Sequence, residues 1–158
     1  MTTDTERRRR IVDEARSWKG TPYRNCADIK GVGVDCGMLL LRVYVDCGLF
    51  PAFDPRPYPH DFHLHRGEEW YRRLLEDRGR QVGAPQIGDA ILFKVGRIYS
   101  HGSIVTSVAP LTVVHAVREY RAVVEEEIDP NQDLRERMKE ALIFDLVGFA
   151  LQRKGGAQ

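Results

Sequence analysis

The chain of 158 residues predicts an α+β fold in which helices come first and an antiparallel sheet follows. Two observations carry this. Before Pro85 the apolar residues recur at helical spacing. After Pro85 they gather in short β-branched and aromatic runs bounded by turn residues.

The elements follow in order. From Asp4 to Trp18, Ile11, Ala15 and Trp18 mark one helical face with Val12 beside them, and Gly20 ends the helix. Residues 19–34, with three glycines and a proline, read as a loop. Asp35 is a good N-cap for a second helix over about 35–47, which is apolar nearly all round and so central, and Gly48 stands at its stop. Four prolines between 51 and 59 forbid regular structure. Residues 67–78 read as an amphipathic helix with Trp70, Leu74 and Leu75 inward and Gly79 as terminator. Strands are expected at 90–93, 98–108, 111–117, 120–128 and 142–151, with a tight connection at Ala109-Pro110 and a short polar helix over 131–140. Neither repeats nor a dividing linker break the chain, so residues 1–158 are read as a single domain.

Composition narrows the function classes. Lys and Arg total 24 against 23 Asp and Glu, a net charge of +1, which excludes a global field for nucleic acid. Arg7–Arg10 is the one basic block and reads as a solvated helix face. No apolar stretch follows it, so no signal peptide is read, and no segment has the length of a membrane-spanning helix. Three cysteines without a C-x-x-C pair argue against a disulfide framework or a structural zinc site and fit reduced thiols. Cys47 reads as a small buried residue and Cys26 as an incidental loop thiol.

The candidate chemistry lies in Cys36, His101 and His115. Cys36 falls in the first turn of the second helix, where the dipole and free backbone N–H groups are expected to favour thiolate. His101 and His115 fall in the two arms of the expected hairpin, which can set them side by side as base and orienting group. Asp35 is read as a cap first and a substrate contact second, and Asp89 as a cap of the turn before its strand. His60, His63 and His65, with Asp61, lie in the proline-rich loop at a spacing that matches no standard zinc motif, so no metal and no cofactor is assigned.

The order G-T-P-Y (20–23), D-C-G (35–37), P-x-x-G-D (85–89), S-H-G (100–102) and V-H-A (114–116) resembles the NlpC-type cysteine peptidases of bacterial cell-wall metabolism. It is closest in pattern to the branch found in phage tails and phage-like gene-transfer particles, over residues 9 to about 120. The chain departs from the family where Tyr23 is followed by Arg24-Asn25-Cys26 in place of Trp-Gly-Gly, and Cys36 by Gly37-Met38 in place of Ser-Gly. Those departures bear on substrate preference.

The resemblance implies a papain-like fold, in which the helix carrying the nucleophile packs on a central antiparallel sheet. It implies Tyr23 as a second oxyanion donor or cleft wall, with Asp35, Gly37, Ser100 and Gly102 as the remaining substrate contacts. The implied substrate is a peptidoglycan stem peptide, and the implied partners are phage-like tail proteins, with no nucleic acid and no membrane insertion. Cytoplasmic synthesis without a signal peptide then requires delivery by a virion or phage-like particle, a holin-like pore or lysis. Two alternatives stay open at this point. One is an inactive tail-tip or assembly protein of the same fold, and the other is a thiol amidase or acyltransferase acting on a non-wall substrate.

Overall fold

The computed structural model describes residues 2–56 and 69–156. Its first helix, α1 (Asp4–Ser17), begins with a capping box: the Thr3 hydroxyl accepts from Glu6 N–H, and the Glu6 carboxylate accepts from Thr3 N–H. Its buried stripe is Arg8, Ile11, Val12 and Ala15. Two short strands, β1 (Asp28–Ile29) and β2 (Gly33–Val34), pair within the expected loop. Helix α2 (Cys36–Asp46) is buried on nearly every side, and Cys47 forms its half-buried C-cap. In α3 (Trp70–Arg78) the fully buried residues are Tyr71 and Leu75, with Trp70 and Leu74 packed only partly against the core. The inward face is thus rotated by one residue from the expected one.

The sheet contains β3 (Arg80–Val82), β4 (Ala90–Val95), β5 (Ile98–Val108), β6 (Leu111–Val117), β7 (Ala122–Glu127) and β8 (Leu142–Asp145). Its order is β3-β8-β4-β5-β6-β7, antiparallel throughout. Helix α4 (Gln132–Met138) precedes β8, and α5 (Val147–Gly155) follows it. The expected strand over 142–151 is therefore half strand and half helix. Asp145 ends the strand, and its carboxylate accepts from Gly148 N–H at 2.9 Å, which starts the helical turn.

The sheet separates two apolar layers. Leu92, Ile104, Val114, Ala116 and Val123 meet Ile11, Leu39, Leu40 and Tyr44 of the helical side. Ile91, Phe93, Val105 and Val113 meet Ile128 and Leu134 on the other. Helix α2 lies on β5 and β6, so the helix that opens with Cys36 rests on the strands that carry both histidines.

The expectation that Arg7–Arg10 is a solvated face fails at Arg8, which is 4% exposed. It bonds Asp4 at 2.9 Å, Asp89 at 2.8 Å and Asp145 at 2.8 Å, and donates to the Ile87 carbonyl. Asp89 also accepts from Gln86 N–H, which is the turn-capping role expected of it, but its other oxygen belongs to this buried cluster. No helix among the described residues is long and apolar enough to cross a membrane.

Candidate active site

Cys36 is held from both sides of its helix start. The Asp35 carboxylate accepts from Met38 N–H at 2.8 Å and from Cys26 N–H at 2.7 Å. Tyr71 O–H donates to the Cys36 carbonyl at 3.3 Å. The thiol reaches the backbone of β5 and donates to the Ser100 carbonyl at 3.6 Å, one residue before His101.

The expected thiolate is not the resting state. Burial pushes the Cys36 thiol from the ordinary 9.0 up to about 12; the Asp35 charge adds to the rise, and the N–H groups of Gly102, Gly37 and Cys36 partly offset it. That rise corresponds to about 4 kcal/mol, against about 0.3–1 kcal/mol from a helix dipole. Desolvation wins, and the sulfur carries its proton.

The two histidines meet because of strand register. Ile104 faces Val114, so His101 and His115 lie on one face of the β5–β6 pair as diagonal neighbours. His101 Nε2 is 2.8 Å from His115 Nδ1, and the rings meet edge to face. On the next strand His115 faces Val124, which brings Glu126 to the same face on the far diagonal. His115 Nε2 is 2.7 Å from Glu126 Oε1. The carboxylate accepts there, so Nε2 of His115 carries a proton, and in the neutral His115 ring Nδ1 accepts from His101 Nε2–H. His101 is left with its lone pair on Nδ1. Burial lowers His101 from 6.5 to about 3, and the charge that His115 carries when protonated and that of Arg137 would add to the fall, so the His101 ring is neutral at neutral pH.

These groups share a cavity of about 550 Å³ lined by Tyr23, Cys36, Ser100, His101, His115 and Glu126, among others. Burial, with the Cys36 and Asp35 charges, raises the Tyr23 phenol, so it remains a donor. A second hollow adjoins the first at Tyr23 and Arg118, lined also by Arg24 and Arg121. All three arginines are exposed and make no ion pair with any described residue.

Three of the expected substrate contacts, Asp35, Gly37 and Gly102, do not line the cavity. Asp35 is 2% exposed and spends both oxygens on backbone donors. Gly102 packs against Tyr71 and Leu40. Gly37 turns its N–H to the sulfur and does not line the cavity. Tyr23 and Ser100 do line it. Glu126 is absent from the sequence candidates; the signal for it is its same-face position two residues from His115's strand partner. His60, Asp61, His63 and His65 lie outside the described residues. Among the described residues no group of three or more His, Cys, Asp or Glu is placed to hold a metal ion.

Among solved structures the chain is similar to the NlpC/p60 domain of the peptidoglycan hydrolase SagA, with a TM-score of 0.53 and 19% identity over 77% of this chain and 90% of that one. It is also similar to a lipoprotein-like protein of the NLP/P60 family from Staphylococcus aureus, with a TM-score of 0.61 and 18% identity over 92% of this chain and 43% of that one. This chain therefore spans less than half the length of the second protein. No family model matches the sequence. No curated protein matches it either. Likeness at these identities shows the fold, which is the papain-like arrangement of a cysteine-bearing helix on an antiparallel sheet.

Proposed function

We propose that the protein is a cysteine hydrolase that cleaves an amide bond in bacterial peptidoglycan stem peptides, carried on a phage or phage-like particle. The observation that carries the reaction class is the convergence of Cys36, His101 and His115 on one cavity, with the two imidazoles in hydrogen-bond contact at 2.8 Å. The substrate is supported by the motif order and by the likeness to a peptidoglycan hydrolase domain. The particle rests on the motif resemblance alone.

The chemistry starts from a neutral pair. The thiol leaves the Ser100 carbonyl and passes its proton to His101 Nδ1 as the sulfur attacks the amide carbon. The carbonyl electron pair moves to oxygen, where Cys36 N–H, at the free start of α2, and the Tyr23 hydroxyl are the donors. The C–N bond breaks, and the amine departs with the proton from His101. Water then attacks the thioester, giving one proton to His101; the acid is released and the proton returns to sulfur. His115 holds the His101 ring throughout.

The arginines beside Tyr23, without an ion pair among the described residues, suit the carboxylates that stem peptides carry, including that of a γ-linked D-glutamate. The reading is tested by incubating wild type and Cys36→Ala with soluble muropeptides and analysing the products by mass. A fragment pair from wild type alone identifies the bond. Intact muropeptides with a folded protein would move the assignment to a non-wall amide or to an inactive assembly protein, and an amide panel separates those two.

A further inference from the structure

We infer that Asn131, the N-cap of α4, sets the proton arrangement of both histidines through Glu126, which makes Glu126 and Asn131 positioning residues for His101. The inference rests on the proposed role of His101 as the base.

The chain of bonds starts at a group that cannot invert. Asn131 Oδ1 accepts from the backbone N–H of Leu134 at 3.2 Å, as an N-cap must. A backbone amide only donates, so the oxygen of Asn131 is fixed on that side and its Nδ2 faces the opposite way. There Nδ2 donates to Glu126 Oε2 at 3.2 Å and to the Tyr120 hydroxyl at 3.4 Å. Glu126 is thereby engaged at both oxygens, by Asn131 at one and by His115 Nε2–H at 2.7 Å at the other. His115 is 2% exposed, and in its neutral ring the proton on Nε2 leaves Nδ1 to accept from His101 Nε2–H at 2.8 Å. The hydrogen bonds thus fix one another in turn, from the first turn of a helix to the lone pair on His101 Nδ1. The carboxyl of Glu126 is held below its usual range, mainly by the bond from His115, which agrees with an acceptor at that position.

The direction of these bonds matters more than their presence. Reversed, the same contacts would leave a proton on His101 Nδ1, and that nitrogen could not accept the thiol proton in the proposed step.

A pair of isosteric substitutions tests this. In Glu126→Gln the amide has one oxygen for two donors. Asn131 keeps that oxygen, so the Gln NH2 faces His115 and the protons on both rings shift. Turnover is expected to fall by about two orders of magnitude or more while KM stays within about threefold, the pattern of a lost transition-state interaction. In 15N NMR of ring-labelled protein, His101 should move from the Nε2–H to the Nδ1–H tautomer. Adding Asn131→Asp restores an acceptor at the cap for both Leu134 N–H and the Gln NH2, which turns the Gln oxygen back to His115. Glu126→Gln/Asn131→Asp should regain the wild-type tautomer and turn over within about tenfold of wild type. If the single variant fails to fold, the double variant still reads the tautomer. A folded single variant that keeps Nε2–H on His101, or a folded double variant that does not regain it, overturns the inference. The expected tautomer exchange in a protein that cuts no amide would sustain the positioning roles and sink the hydrolase reading.

Discussion

Gly102 and Tyr71 adjoin so closely that a Cβ on Gly102 would overlap the Tyr71 hydroxyl and come within 2.9 Å of Leu40 Cδ2. The same hydroxyl donates to the Cys36 carbonyl. Gly102 therefore lets α3 and β5 close on the start of α2, where Cys36 lies. Gly102→Ala is expected to cost about 1–3 kcal/mol by overpacking. Because Tyr71 must move, muropeptide cleavage should fall more than tenfold; denaturant unfolding and product mass check both, and an unchanged midpoint would show that Tyr71 yields freely.

Thiol labelling should not favour the nucleophile. Cys36 is buried and its thiol is pushed up to about 12, whereas Cys26 is part-exposed. Iodoacetamide near neutral pH is expected to modify Cys26 well before Cys36, as read by peptide mapping. Faster labelling of Cys36 would mean that a thiolate–imidazolium pair forms in the free protein.

Activity should be flat where a thiolate–imidazolium enzyme shows a bell. His101 gains a proton only as pH falls toward about 3, and Cys36 loses one only as pH rises toward about 12. The free-enzyme profile of kcat/KM is expected to show no limb near the ordinary histidine and cysteine values of about 6.5 and 8.5. Stability carries the matching sign. The folded-state value of His101 lies below the unfolded one, so the unfolded chain binds the extra proton, and the contribution is full above pH 6.5 and lost as pH falls toward 3. His101→Gln should flatten that part of the wild-type stability curve, measured by denaturation from neutral pH down to about pH 4.

Arg8→Met should be the most damaging change in the arginine block. It leaves the Asp89 side chain, 0% exposed, without a cation among the described residues, and Asp145, 5% exposed, with only Arg80 at 3.4 Å. Breaking a buried network of this kind costs about 3–5 kcal/mol. Arg9, which is exposed, should tolerate alanine within about 0.5 kcal/mol. Equal effects of the two substitutions in thermal melts would remove the cluster from the account of stability.

Much of the fold is legible in local pattern, and what escapes it is cooperative. Helix α2 and the β5–β6 hairpin follow from an N-cap and from alternating apolar runs. The boundary at Asp145 does not, because a buried strand end and a buried helix start are both continuously apolar; only the aspartate, as an acceptor for Gly148, marks the change. β3 is three residues long and largely polar, too little for periodicity to register. Arg8 continues the stripe of Ile11, Ala15 and Trp18 by one more helical step, but charge argues for solvent unless its two distant aspartates are known. The nucleophile and both histidines carry recognisable neighbours in sequence, whereas Glu126 needs the register of a third strand to be seen. The protonation of Cys36 escapes for a similar reason. A dipole is local, but the depth of burial depends on everything that packs above it.

The bond between Arg8 and Asp145 spans 137 positions of the chain. Translation delivers Cys36 early, His101 and His115 much later, and the clasp between α1 and β8 later still. A chain emerging from the ribosome thus holds Arg8 before either of its two distant partners, Asp89 and Asp145, has been made. The cluster around Arg8 closes only when β8 has joined the sheet.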